Sequence, residues 1–299
     1  LDTFLFDGEE LNSYKLDAYD GPRECDSYIA VAGPIADSVI HEVHFASGSE
    51  TIYGIFLHHA ARCDTGDTLI LYFPGKTDHI DNYWLRARML HELGHDSTSG
   101  YARYPMLVID YRGFGKSTGE PTEEGLYEDG ASALGFVEAN LGNPHVVVYA
   151  YSLGSLIGCK VASDEAGDSG SRIMALILEA PIGCISTIAG DAAYLNVPGS
   201  AVSTYTGDNK ERIRKIEVPF LWLHGTNDGM LAMETNGQPI WDNYRGGDGA
   251  RRMVVGGVHN DLPTALGGSY RTYRDIVRCF VQGNHRDSLN EGLYSGFKP

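Results

Sequence analysis

The sequence predicts an α/β fold, a mostly parallel sheet with helices on both faces. Short continuous runs of apolar, β-favouring residues alternate with longer segments of helical spacing, the pattern of strands buried on both sides. With 299 residues, 42% of them hydrophobic and 10% aromatic, the chain has the material for a large core and is not a disordered polypeptide. No run of about 18 apolar residues occurs, so no membrane-spanning helix is predicted.

Residues 1–37 mix charged, aromatic and turn residues without a clean period and are expected to be an N-terminal extension to a domain spanning 38–299. VIHEVHF (39–45) and TIYGIFL (51–57) predict a β-hairpin. DTLILYF (67–73) is a buried strand that stops at Pro74-Gly75. NYWLRARMLHELG (82–94) has helical spacing with Gly94 as its stop signal. PMLVIDY (105–111) is the next strand, and EEGLYEDGASALGFVEAN (123–140) is an amphipathic helix despite its glycines. Strand HVVVYAY (145–151) runs into a helix at 153–163, and strand IMALILEA (173–180) stops at Pro181. A less regular section precedes strands VPFLWLHG (218–225) and RRMVVGG (251–257), and a helix around 270–282 closes the pattern.

The net charge of −17 repels phosphate backbones and anionic lipid, which counts against nucleic acid as a partner. Cysteines 25, 63, 159, 184 and 279 are odd in number and form no C-x-x-C; Cys159 and Cys279 fall in apolar helical patterns and are expected to be buried thiols. The chain begins at Leu1, which fits a removed leader or a trimmed chain and favours a secreted, periplasmic or lipoprotein-anchored protein over a cytoplasmic one. The oligomeric state is open.

In a parallel sheet, ligands bind at the carboxyl ends of the strands. Three motifs can be put to that test. Gly115-Lys116-Ser117-Thr118-Gly119 matches G-x-S-x-G, but five residues separate Tyr111 from the serine and Pro121 bars a following helix. Asp110 also stands where a P-loop needs its first glycine. Ser117 is therefore expected to be a loop residue. His91-Glu92-Leu93-Gly94-His95 has zinc-peptidase spacing, with Glu92 as base. Gly94 breaks the required helix and Thr98 departs from the extended metal motif, so a helix end with solvated histidines is expected. Ser152 passes: a strand runs straight into it, a helix starts straight after, and Ala150 and Gly154 keep both flanking positions small.

A serine nucleophile needs a base, and the base needs an orienting acid. Asp228 lies on the loop after strand 218–225 and His259 lies just past strand 251–257, in the chain order Ser, Asp, His. Glu179 at the end of strand 173–180 is the reserve acid. The backbone N–H groups of Leu153 and Lys76 are the expected oxyanion-hole donors, Gly75 permitting the turn that aims the second.

FPGK (73–76), DYRGFGKSTGEPTEEGLYED (110–129), AYSLGS (150–155), LHGTNDGML (223–231) and GVHND (257–261) resemble the landmark segments of α/β-hydrolase serine enzymes. The likeness is greatest to the branch of depalmitoylase-type α/β-hydrolase-domain proteins and related bacterial hydrolases, and covers roughly residues 38–282. It implies an α/β-hydrolase fold with a short cap inserted at about 182–215, and cleavage of a small-molecule carboxylic ester or thioester through an acyl-enzyme, with no metal and no cofactor. Under it, the 110–129 segment is a structural loop. The chain departs from the family at Lys76, often Asn in relatives, and at Ala150, usually Gly; both departures bear on substrate preference. Ile182, Ile185, Ile188, Tyr194 and Val197 of the insert are the expected acyl contacts, in an open site for small to medium acyl groups. The alternatives are a peptidase or amidase on the same three residues, a zinc peptidase on His91 and His95, and a binding protein with a misaligned triad.

Overall fold

In a computed structural model, residues 8–23, 34–76, 79–94, 103–191, 205, 207–254, 256–265, 270–283 and 297–298 are described. The hairpin of β1 (Ile40–Ser47) and β2 (Glu50–Leu57) forms one antiparallel edge of a nine-stranded sheet. β3 (Thr68–Phe73), β4 (Met106–Ile109), β5 (His145–Tyr151), β6 (Ile173–Glu179), β7 (Phe220–Gly225) and β8 (Gly249–Val254) follow, with the short β9 (Phe297–Lys298) antiparallel at the far edge. The sheet order is β1-β2-β4-β3-β5-β6-β7-β8-β9, and every pairing from β4 to β8 is parallel. The α/β-hydrolase fold expected from the sequence is the fold observed.

The central strands are apolar without alternation because both faces are covered. Among the described residues, α1 (Ile80–His91), α2 (Glu123–Asn140), α3 (Gly154–Asp164), α4 (Ile185–Asp191), α5 (Asn209–Arg212), α6 (Gly237–Asn243), α7 (Leu262–Ala265) and α8 (Tyr270–Val281) supply the cover. One core joins α2 and α3 to Phe73, Val148, Ala150 and Leu178; the other joins α1 and α8 to Tyr72, Val147, Tyr149 and Ile177. Thr122 caps α2 by accepting from Gly125 N–H at 3.1 Å. The glycine inside α2 has a packing reason: a Cβ at Gly130 would fall 2.3 Å from Ile157 Cγ2 of α3. No helix among the described residues is long and apolar enough to cross a membrane.

Among residues 8–23, polar contacts run to α1 and to the end of β4. Asp81 accepts from the backbone N–H groups of Lys15 and Leu16, Asp17 pairs with Arg88 and accepts from Trp84 Nε1, and Tyr14 donates to Asp110 at 2.7 Å.

Two side-chain expectations are corrected. Cys279 is half-buried, because its face of α8 is only partly covered; Cys159 is buried, and burial pushes its thiol up to about 12. His91 is not solvated. Its ring is buried, Nδ1 donates to Tyr104 carbonyl oxygen at 2.7 Å, and burial pushes it down to about 4. The sequence hides this because the partner lies 13 residues further along the chain.

Candidate active site

The carboxyl ends of β3, β5, β6, β7 and β8 line up, with Phe73 opposite Ala150, Tyr151 opposite Glu179 and Glu179 opposite Leu223. Ser152 sits at the bend between β5 and α3 with φ of 52°, a left-handed conformation that a serine adopts at a cost of ~1–3 kcal/mol. Its N–H donates to Glu179 carbonyl oxygen at 3.0 Å, tying the bend to the neighbouring strand. The bend is tight: a Cβ at Gly154 would fall 2.1 Å from Phe73 carbonyl oxygen. Position 150, in contrast, tolerates a methyl because the helix opposite it has none. A Cβ at Gly158 would fall 2.7 Å from Ala150 Cβ, so a pair of small residues replaces a single glycine.

Ser152, His259 and Asp228 are brought together from three loops. Ser152 Oγ lies 2.9 Å from His259 Nε2, and His259 Nδ1 lies 2.8 Å from Asp228 Oδ2. All three are buried. A carboxylate can only accept, so Nδ1 carries the proton and Nε2 is left to accept from the serine hydroxyl. Asp228 Oδ1 accepts from the N–H groups of Met230 and Leu231 at 2.9 and 2.8 Å. Burial opposes ionisation of Asp228, but hydrogen bonds from His224 and His259, the His259 charge and the Leu231 N–H outweigh it and hold the carboxyl well below the usual range.

The two partner loops are held back to back. A Cβ at Gly225 would fall 2.3 Å from Gly257 carbonyl oxygen, and Asn227 N–H donates to that oxygen at 2.9 Å. Tyr151, next to the serine, hydrogen-bonds Asn260 Oδ1 at 2.8 Å and packs its ring 5.5 Å from that of His259. Sequence reasoning passed over Tyr151 and Asn260, and also His224, whose signal is a histidine inside the apolar strand FLWLHG.

Leu153 is the N-cap residue of α3, where N–H groups have no partner within the helix. Lys76 lies on the loop after β3, and Gly75 is needed there because a Cβ would meet Tyr83 Oη at 2.7 Å. Ile182 and Ile185 are buried in the core beside α3, with Ile182 N–H donating to Ser155 Oγ at 2.9 Å; Ile188 is buried there as well. Tyr194 and Val197 lie outside the described residues, as does most of the segment between α4 and α5.

The other candidates are engaged elsewhere. Glu179 is fully buried, pairs with Arg86 at 2.7 Å and accepts from Tyr149 and Tyr273, which excludes it as the reserve acid. Ser117 Oγ donates to Asp110 carbonyl oxygen at 2.7 Å and accepts from Tyr53 N–H, fastening the loop it sits on. Glu92 pairs with Arg88 at 3.2 Å, His95 lies outside the described residues, and no metal-binding cluster exists among the described ones.

A family model described as alpha/beta hydrolase fold matches residues 68–192, the stretch from β3 through the serine bend to α4. The match covers less than half of the chain and is a likeness to the α/β-hydrolase family, whose fold the sheet and helices share. The chain is 27% identical to Protein ABHD12B of Homo sapiens over 225 residues, 71% of this chain and 60% of that protein. It is 27% identical to Lysophosphatidylserine lipase ABHD12 of Danio rerio over 153 residues, 46% of this chain and 39% of that one. These matches span less than two thirds of either relative's length. An esterase from Pyrococcus furiosus, Pf2001, superposes with a TM-score of 0.63 over 92% of this chain and all of its own, at 15% identity, a likeness of fold.

Proposed function

We propose that this protein is a serine hydrolase that cleaves carboxylic esters, thioesters among them, through an acyl-enzyme. The observation that carries the reading is the hydrogen-bonded chain Asp228–His259–Ser152, at 2.8 and 2.9 Å, with the serine on a positive-φ bend between strand and helix. Ser152 Oγ attacks the acyl carbon while His259 Nε2 takes its proton, and His259 then gives that proton to the leaving alcohol or thiol. Asp228 holds the ring's tautomer and stabilises the imidazolium. Water activated by His259 releases the acid.

The N–H groups of Leu153 and Lys76 are the proposed oxyanion donors, each typically worth on the order of 10²–10³ in rate. Ile182 and Ile185, buried beside α3, are the proposed acyl contacts. The name of the Danio rerio relative supports an ester substrate. The zinc-peptidase alternative is weaker, since Glu92 is paired with Arg88, His91 Nδ1 is bonded to Tyr104 carbonyl oxygen, and no cluster of metal-ligating side chains surrounds His91 among the described residues.

The test is a panel of p-nitrophenyl esters of increasing acyl length with wild type and Ser152→Ala. Turnover lost in a variant that keeps its circular dichroism supports the reading, and turnover kept overturns it.

A further inference from the structure

Behind the Asp228 carboxylate lies a second histidine that the acyl-transfer reading does not use. His224 is fully buried near the end of β7, where every other side chain is apolar. Its ring is held from both sides. Nδ1 lies 3.4 Å from Trp222 Nε1, and an indole N–H can only donate, so Nδ1 accepts and the neutral ring carries its proton on Nε2. That Nε2–H donates to Leu231 carbonyl oxygen, 2.9 Å away, and Nε2 lies 3.4 Å from Asp228 Oδ2.

α6 packs directly against the ring. A Cβ at Gly237 of α6 would fall 2.3 Å from His224 Nδ1 and 2.4 Å from Trp222 Nε1. Asp228 Oδ2 therefore faces two imidazoles, His259 Nδ1 at 2.8 Å and His224 Nε2 at 3.4 Å, while Oδ1 takes the two loop N–H groups. The same Nε2–H, shared with Leu231 carbonyl oxygen, closes the 226–231 loop around the carboxylate.

We infer that His224 is a positioning residue: a fixed-tautomer donor that sets the direction of Asp228 Oδ2 and, through it, the reach of His259 toward Ser152. The inference rests on the acyl-enzyme reading. His224 also draws charge from Oδ2. Without that donor Oδ2 carries more negative charge toward the His259 ring, so the acid limb of the activity profile should lie at higher pH. The groups facing His224 are Trp222 of its own strand, Gly237 of α6, and Asp228 and Leu231 of the following loop. Among the described residues, the titratable groups facing Asp228 are His224 and His259.

The test compares His224→Leu, which removes the donor, with His224→Gln, which offers an amide N–H in its place. Rates with p-nitrophenyl butyrate are normalised to the fraction of active sites that a fluorophosphonate titrates. His224→Leu should lower kcat on the order of 10- to 100-fold with KM within about twofold, as misplacing a reacting group does. The acid limb of its kcat/KM profile should move up by about half a pH unit. His224→Gln should recover most of kcat and return the limb toward wild type. If His224→Leu does not fold, Trp222→Phe frees the tautomer without touching the loop and should move kcat and the limb in the same directions by less. An unmoved acid limb, or equal losses in the Leu and Gln variants, overturns the inference. A wild type that neither titrates nor turns over defeats the acyl-enzyme reading instead, and the two failures are distinct.

Discussion

Adding one methyl at Gly158 tests whether Ala150 is accommodated by the helix facing it. The new Cβ would lie 2.7 Å from Ala150 Cβ, 3.0 Å from Val148 Cγ1 and 3.3 Å from Phe73 Cδ2. Carbon atoms make their best contact at about 3.5–4.0 Å, so all three are too close. Overpacking of this kind costs about 1–3 kcal/mol. Replacing glycine by alanine inside a helix returns about 1 kcal/mol, so Gly158→Ala should destabilise by roughly 0–2 kcal/mol. Ala150→Gly alone removes a buried methyl and puts glycine in a central strand, at a cost of about 1 kcal/mol. The double variant removes the worst contact, so its loss should fall short of the sum by about 1 kcal/mol or more. Urea unfolding followed by circular dichroism, with a shared m value, measures the cycle. Additivity within about 0.3–0.5 kcal/mol would refute the account of position 150.

Two further outcomes are expected. Arg86→Met leaves the Glu179 carboxylate buried against two tyrosines and should cost about 3–5 kcal/mol, largely relieved by adding Glu179→Gln; urea midpoints decide, and a loss under about 1 kcal/mol contradicts the buried pair. Asp110 is pushed up to about 8 by burial and by the nearby Asp81 charge, against the lowering effect of its bonds from Tyr14 and Ile80 N–H. The folded state therefore holds a proton that the unfolded chain releases near pH ~4, so stability falls as pH rises from about 4 to about 8 and levels above that. Asp110→Asn should flatten that stretch of the profile, and parallel profiles for variant and wild type would contradict it.

The sheet was legible in the sequence because its central strands are covered on both faces, which forces continuous apolar runs such as HVVVYAY and IMALILE. The short helices α4, α5 and α6 were not. Four to seven residues cannot display a helical period, and α5 is fixed instead by Asp208 accepting from the N–H groups of Lys210 and Glu211. Ser152, Asp228 and His259 stand out because each follows a strand, and the parallel registers carry those strand ends to one edge. His224 lies inside a strand, where that rule does not reach, and its importance emerges only with Trp222 and Asp228 on either side. The compensation between Ala150 and Gly158 needs the packing of α3 on β5, which no motif encodes.

The central claim is that Ser152 forms the acyl-enzyme, and intact-protein mass spectrometry with a fluorophosphonate tests it most directly. One adduct per chain should form, map to Ser152 after proteolysis, be absent in Ser152→Ala and be unaffected by EDTA. Labelling at another residue, or ester turnover that survives in Ser152→Ala, would contradict it.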